Sequence, residues 1–421
     1  MSNPADSNPV LRRDIDIMPV QGEDGSAMIV MRDPLELYGK GPVALRAETL
    51  GILAMLDGHH SLEDIRMRLV EQTARAGRLT SIPKEVIQGF LDQLNEVYLL
   101  DNERYHSARL KLVENFAALD SRPAALAGKS YPREKAALVE YIDELLAPGI
   151  EETRHSELKN KQIVALVSPH IDLQAGARLY AASYNLIKGH SYDRVVILGV
   201  GHNLESGLFC FTDKNFSTPL GTVPTDRLTV TRLKKAAGPM AADNDFAHRG
   251  EHSIEFQLIF LQRVLEGPFS IVPVLCGSLY EQLILGDKKR PREIAGLGAA
   301  LDYLAGLLED PASRTLLLAG VDFSHVGPKF GDRSSAMSIT AESTRHDKTL
   351  LEALTSLDVD AFCAAGRGVR DRYHVCGFTV LSLLLEVLPE GVKGVELGHR
   401  VWHEEQSRSA VSFASCVYYR D

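Results

Sequence analysis

Four side chains that could take part in metal or proton chemistry follow directly after three strongly apolar segments. The four are His170, His202, Asp322 and His325, and the segments are 163–167, 194–200 and 314–321. Apolar runs of this length are typical of strands that are buried on both faces of a parallel sheet. Ligands bind beyond the carboxyl ends of such strands, so we predict that the four side chains line one cavity. Any one of these histidines alone would be interpreted as an ordinary loop residue.

Two further segments carry residues of the same chemical types. Glu251 opens a predicted helix, and His252 and Glu255 lie three positions apart on one face of it. This pair either lines the same cavity or consists of ordinary polar residues at a helix start. Cys376 precedes another predicted helix, whose dipole would favour a thiolate that acts as a nucleophile or metal ligand. The alternative is a small buried residue that only packs.

The elements that must position these residues alternate between strand and helix patterns. After the first apolar segment, residues 177–187 follow helical spacing, and 270–276 form a fourth predicted strand. This alternation predicts an α/β domain with a parallel sheet. The last segments, 395–401 and 410–419, alternate in the manner of sheet strands. We place this domain at 159–421.

Composition argues against several classes of protein. The chain has 421 residues, a formal net charge of −10 and a pI near 5.8, which disfavour nucleic acid and anionic membranes as partners. Its longest apolar run is too short to span a bilayer, and residues 1–17 lack the apolar core of a signal peptide. The five cysteines include no CxxC pair, which argues against a disulfide framework and favours a reducing cytoplasm.

The chain before residue 159 divides into three segments by pattern. The pattern predicts a disordered tail at 1–24, a compact helical domain at 25–107 and a helical connector at 108–158. Within the second segment, 98–101 resembles the first wing strand of a winged helix. The same segment carries nine Lys or Arg against twelve Asp or Glu, which favours contact with protein or peptide over DNA. Its motif at 57–65 is similar to the PqqD-like peptide-recognition domains; the alternative is a helical module that packs on the catalytic domain.

Six short motifs within 159–421 occur in the order and spacing of the MEMO family. They are Pro169-His170, Leu198–His202, Thr218–Gly221, Glu251–Glu255, Asp322–His325 and Cys376-Gly377. The chain therefore resembles this family, whose bacterial members are called AmmeMemoRadiSam system protein B. The resemblance implies a mixed-sheet α/β fold similar to that of the LigB-like class III extradiol dioxygenases.

The resemblance also implies a site for a redox-active ion, iron or copper, held by His170, His202 and Cys376. Asp322 and His325 would lie beside the ion, with His325 as general acid or base and Asp322 orienting it or a bound water. A thiolate ligand shifts the preference of such a site toward copper(I) or zinc. Two histidines and one anionic ligand leave positions open for O₂ or substrate.

Residues around this site carry the remaining predictions. We expect His252, Glu255 and Asp172 to contact substrate or to support the ligands. The chain departs from the commonest MEMO pattern at 171–173, where many members have Ala-Gly-Tyr, and at Asn203, where a second histidine is common. Neither departure touches the proposed ligands.

Three functions are compatible with this pattern. The first is a metal-dependent, dioxygenase-like oxidoreductase that acts on a small molecule or a peptide, together with a radical-SAM partner of the same system. The second is a zinc hydrolase in which the metal activates water. The third is a non-catalytic scaffold that binds protein or peptide or handles metal.

Overall fold

Residues 8–22, 24–75, 81–147 and 155–421 are described in the computed structural model of the chain. The chain divides into two units, which we call unit 1 (residues 1–118) and unit 2 (residues 119–421). Among the described residues, no helix has the length and apolar character that crossing a membrane requires.

Unit 1, in its described residues, combines a three-stranded antiparallel sheet with helices. Its elements are β1 (Asp16–Gln21), β2 (Ala27–Arg32), β3 (Val43–Arg46), α1 (Leu50–Leu53), α2 (Leu62–Arg75), α3 (Lys84–Glu96) and α4 (Glu103–Ala117). The central strand β2 buries Ile29 and Met31 in one core with the apolar faces of α2 and α3. A capping box is present at the start of α2, since Ser61 and Asp64 exchange backbone-to-side-chain hydrogen bonds.

The segment before β2 differs from the disordered tail that was expected for 1–24. Strand β1 pairs with β2 as an antiparallel hairpin. The buried guanidinium of Arg12 binds two carboxylates at 2.8 Å, and Ile15 reaches the core. These ionic and apolar contacts hold the segment in place. Residues 1–7 and Glu23 lie outside the described residues.

Segment 98–101 forms no strand of this sheet, which corrects the predicted wing strand. Tyr98 has a positive φ of 60°, which turns the chain at the end of α3, and α4 begins at Glu103. Too few residues remain between the two helices for an extended pair of strands. Within this segment, Leu100 makes a single bridge, to Leu11.

Unit 2 is built around an eight-stranded sheet with helices on both faces. Its described elements are β4 (Ser121–Arg122), α5 (Lys135–Leu145), β5 (Gln162–Ser168), α6 (Leu173–Tyr184), β6 (Arg194–Val200), β7 (Phe209–Phe211), β8 (Asn215–Thr218), β9 (Gly221–Val223), α7 (Arg227–Ala237), α8 (His252–Val264), β10 (Ser270–Cys276), α9 (Gly298–Glu309), β11 (Thr315–Gly320), β12 (His325–Val326), α10 (Ala336–Thr355), α11 (Val359–Val369), α12 (Phe378–Val387), β13 (Lys393–Glu404) and β14 (Ser409–Arg420).

The order of the strands gives a mixed sheet, as predicted. It runs β12-β14-β5-β11-β6-β10-β7, and β13 pairs with β14. The four apolar segments of the sequence are the four parallel strands β5, β11, β6 and β10. Strand β14 adds antiparallel to β5, and β7 adds antiparallel to β10. The predicted α/β class is therefore confirmed.

The division between the two units falls inside the segment that was predicted to be a connector, 108–158. Helix α4 ends at Ala117 in unit 1, whereas α5 contributes the fully buried Leu138 and Ile142 to a core of unit 2. The apolar stripe of α5 thus packs within a domain. Residues 148–154 lie outside the described residues.

Three parallel strands end level with one another. Gly320 of β11 pairs with Ser168 of β5 and with Gly199 of β6. A Cβ atom on Gly320 would lie 2.4 Å from the carbonyl oxygen of Ser253, and one on Gly199 would lie 2.5 Å from the hydroxyl of the same residue. Because glycine has no Cβ, α8 can begin directly against these strand ends. The loops after β5 and β6 and the start of α8 therefore meet at one edge of the sheet.

Candidate metal centre

Three histidines converge beyond this edge. One ring nitrogen from each of His170, His202 and His252 lies within 4.8 Å of the other two. The ring centroids are 4.9–5.1 Å apart. The side chain of His170 is buried, whereas those of His202 and His252 each retain 35% exposure. We call these three residues the histidine cluster.

The Nδ1 atom of each histidine is already occupied. In His170 it lies 3.0 Å from the carbonyl oxygen of Gly320, which accepts its hydrogen bond. In His202 and His252 it lies 3.0 and 3.2 Å from Oε1 of Glu251. Each imidazole therefore has Nε2 left for a shared ligand. A second hydrogen bond of this kind fixes the tautomer and orientation of metal-ligating histidines.

Glu251 organises the exposed side of the cluster. It is the N-cap of α8, and its Oε1 accepts the backbone amides of His252 and Ser253 at 2.9 Å. Its Oε2 accepts the backbone amide of His202 at 3.1 Å. Sequence reasoning missed this role, although a carboxylate directly before a histidine at a helix start was a usable signal, since one side chain can both cap the helix and hold the ring.

The carboxylate of Glu251 and the burial of the rings set the charges of the cluster. Burial alone would raise the pKa of Glu251, but the charges and hydrogen bonds of His202 and His252 hold it well below its usual range. Burial alone would lower the pKa of His202, yet Glu251 raises it. Burial, and then the neighbouring rings, keep the pKa of His170 well below its usual range. A buried carboxylate thus faces imidazoles, one of which is kept neutral.

Cys376 lies at the edge of the cluster. Its Sγ atom is 3.6 Å from Nε2 of His170 and 3.4 Å from the carbonyl oxygen of Asp322. The structure therefore places the predicted ligand Cys376 beside His170, whereas the third ring nitrogen close to those of both His170 and His202 belongs to His252. Burial, followed by the charge of Asp322, raises the pKa of the Cys376 thiol well above its usual range.

Asp322 and His325 lie on the same loop but serve different neighbours. Asp322 accepts the backbone amides of His170 and Ile171, and its Oδ2 is 3.6 Å from Nε2 of His170. Burial raises the pKa of Asp322 to about 7. His325 donates from Nδ1 to the carbonyl oxygen of Phe323, so Asp322 does not orient His325 as predicted. The two side chains diverge because one faces β5 and the other faces the cavity described below.

Two predicted site residues have structural roles. Glu255 is fully buried and binds Arg122, the hydroxyl of Tyr131 and two backbone amides, so its carboxylate is not exposed to a substrate. Asp172 is the N-cap of α6 and accepts the first amides of that helix at 3.0 and 3.1 Å. An exposed helix cap accounts for this aspartate without a ligand.

A cavity of about 620 Å³ adjoins the cluster. His202, His325 and Cys376 contribute to its wall, so the loops after the second and third apolar segments and the start of α12 meet at one space. Most of the wall is apolar and includes Val200, Leu204, Ile284, Phe330, Val375 and Phe378. None of the described residues that line it is a lysine or an arginine. The volume is that of a small-molecule site.

The sequence family follows from comparison with known proteins. The family described as Memo-like protein matches residues 122–417, which include the whole histidine cluster and Cys376. The chain belongs to the Memo-like family. Its membership agrees with the MEMO resemblance of the six motifs, and the first residue of the matched region is Arg122, the partner of Glu255.

Relatives of this Memo-like chain come from bacteria and archaea. A MEMO1 family protein of Aquifex aeolicus is 31% identical over 392 residues, which are 93% of this chain and 96% of the relative. A MEMO1 family protein of Thermus thermophilus is 30% identical over 340 residues, which are 80% of this chain and 94% of the relative. A MEMO1 family protein of Methanopyrus kandleri is 30% identical over 266 residues, which are 61% of this chain and 82% of the relative. The first two alignments are longer than the 303 residues of unit 2, so they extend into unit 1.

Proposed function

We propose that this Memo-like chain binds an iron or copper ion at the histidine cluster and acts as an oxidoreductase on a small molecule or peptide. The observation that carries the proposal is the hydrogen bonding of the cluster. Gly320 and Glu251 hold all three Nδ1 atoms, which leaves three Nε2 atoms for one ion. A radical-SAM partner of the same system remains a prediction from the family resemblance.

The donor set fits a first-row transition metal ion. Imidazole nitrogens suit iron, copper and zinc, and the Cys376 thiol adds a softer donor beside His170. The ion would be held by His170 and His202 together with His252 or Cys376. When bound, iron or copper would supply electron transfer beside a cavity that can hold substrate.

The other side chains of the site orient substrate and hold protons. The apolar wall excludes water from the body of the substrate. Burial lowers the pKa of His325 to about 4, so its ring is neutral near pH 7 and Nε2 can accept a hydrogen bond from substrate. The pKa of about 7 allows Asp322 to take up or release a proton beside His170.

A zinc-dependent hydrolase is the second candidate function. Three imidazoles are one of the ligand sets of catalytic zinc sites, and the cluster supplies three without Cys376. In this case the activity requires neither oxygen nor a change of oxidation state. His325 would again line the substrate cavity as a neutral imidazole.

Metal analysis of protein purified without oxygen tests the proposal. We expect about one iron or copper ion per chain in the wild type and loss of the ion in His202→Ala. His403→Ala, an exposed histidine of β13, is the matched control and should retain it. A bound zinc ion that resists competition by Fe²⁺ and Cu⁺ would overturn the oxidoreductase and favour the hydrolase. A wild-type protein that binds no ion would overturn both.

A further inference from the structure

A buried ion pair lies behind the start of α8. Arg122 is 1% exposed and Glu255 is 0% exposed, although they are 133 positions apart in the chain. Glu255 also accepts hydrogen bonds from the hydroxyl of Tyr131 and from the amides of Ala125 and Leu126. The carboxylate is therefore satisfied from several directions, and the pair fastens β4 and the following loop to α8.

The Nε and Nη2 atoms of Arg122 bind backbone carbonyls just before α8. Its Nε donates to the carbonyl oxygen of His248 at 2.6 Å, and its Nη2 donates to the carbonyl oxygen of Glu251 at 2.8 Å. These two carbonyls bracket the turn that leads into α8. One end of this turn is Glu251, whose side chain holds the rings of His202 and His252. Glu251 is thus the one residue that links Arg122 to the imidazoles of His202 and His252.

We propose that Arg122 is a positioning residue for the metal site, and this inference rests on the proposed function. Replacing a buried ion pair by apolar residues is often neutral for stability, so stability alone does not account for the arginine. Only a planar guanidinium offers several donors at fixed angles, which lets one side chain bind Glu255 and both carbonyls. A lysine could keep the ion pair but could not hold both carbonyls in this geometry. Arg122 therefore fixes where Glu251 presents its two oxygens.

Arg122→Lys tests this role with Co²⁺ as the probe. We expect the Kd for Co²⁺ to rise about 10- to 100-fold, as for other residues that orient metal ligands, with a changed Co²⁺ absorption spectrum. Backbone amides of the peptide 248–256 should exchange hydrogen faster in the metal-free variant. Tyr131→Phe, which removes one bond to Glu255 but none of Arg122, should lower thermal stability and leave Co²⁺ affinity unchanged within twofold. Arg290→Lys, in a partly buried pair with Glu386, is the second control.

The outcomes separate this inference from the proposed function. If Arg122→Lys binds Co²⁺ like the wild type, or if affinity falls equally in Tyr131→Phe, the positioning role is overturned. A wild type that binds no Co²⁺ overturns the metal site. In that case, hydrogen exchange of 248–256 in the wild type and in Arg122→Lys still tests whether Arg122 positions Glu251. If Arg122→Lys does not fold, the coupling between metal binding and the Arg122–Glu255 pair can be measured in the wild type, because such coupling is reciprocal. Co²⁺ should then slow exchange of the amides of 125–126, and no slowing overturns the role.

Discussion

Glu251→Gln is the most direct perturbation of the cluster that leaves all three histidines in place. Oε1 of the carboxylate accepts the amides of His252 and Ser253 and the Nδ1 groups of His202 and His252, and Oε2 accepts the amide of His202. A glutamine has one oxygen and one NH₂ group. If the oxygen keeps the helix amides, the NH₂ group faces the amide of His202. One acceptor is then lost, and two donors oppose each other.

The cost can be worked out from these contacts. Leaving a buried donor unsatisfied costs about 1–3 kcal/mol, and removing a negative charge from a helix N-terminus adds up to about 2 kcal/mol. We therefore expect the free energy of unfolding of unit 2 to fall by about 2–4 kcal/mol. For a domain of this size the midpoint of thermal unfolding should fall by about 5–10 °C. Because the group that holds the rings of His202 and His252 loses its negative charge and one of its two acceptor oxygens, metal affinity should fall about 10- to 100-fold.

Calorimetry and Co²⁺ titration of the same protein preparations measure both effects. Glu266→Gln is the control, since this glutamate follows α8 and is exposed. It should change neither quantity measurably. Glu251→Gln protein with wild-type Co²⁺ affinity and a thermal midpoint within 1 °C of wild type would refute the assigned role of Glu251.

Three further changes probe the surroundings of the cluster. Glu255→Leu should cost about 3–5 kcal/mol by leaving Arg122 buried without its partner. Arg122→Met combined with Glu255→Leu should cost less than the sum of the two single changes, and a denaturant double-mutant cycle without coupling would contradict this. Burial lowers the pKa of His248 from 6.5 to about 4, so at this group the unfolded chain binds more protons between these values. His248 should therefore contribute about 3 kcal/mol to the loss of stability as the pH is lowered through them. The loss should be smaller by this amount in His248→Gln, where His170 and His325 still contribute. Gly320→Ala should lower the free energy of unfolding by about 1–3 kcal/mol and weaken metal binding, because its Cβ would meet the Ser253 carbonyl. Gly306→Ala, with open space around it, should leave the free energy of unfolding unchanged or raise it. Equal effects of the two changes would contradict the close approach of α8.

The parallel strands and the residues that follow them could be predicted because their signals are local. Each strand is a continuous apolar run, and His170 and His202 come directly after two of them. The rule that carboxyl ends of parallel strands share one edge then brings these residues together without any knowledge of strand order. The mixed character of the sheet required the family resemblance, because an antiparallel edge strand such as β14 has no signature that distinguishes its direction.

The role of Glu255 could not be assigned from sequence because it depends on what packs against a helix start. Glu255 follows His252 by three positions, which places the two on related faces, yet the carboxylate meets Arg122 from a segment that was interpreted as a connector. A contact over 133 positions leaves no periodic signal. Asp172 was expected to contact substrate or to support the ligands, whereas its local hydrogen bonds show a helix cap.

The third ligand links the identity of the ion to the two candidate functions. His252 shares Glu251 with His202, and its ring nitrogen is within 4.8 Å of the other two, so an ion on three imidazoles requires no proton release from a thiol. Cys376 is a buried thiol with a raised pKa, and ligation requires the loss of its proton. Soft ions such as copper(I), and to a lesser extent zinc, gain from a sulfur ligand and can offset that cost, whereas iron(II) gains less. Copper(I) should therefore recruit Cys376, and iron(II) should bind through His252, so the ligand set follows from which ion is bound.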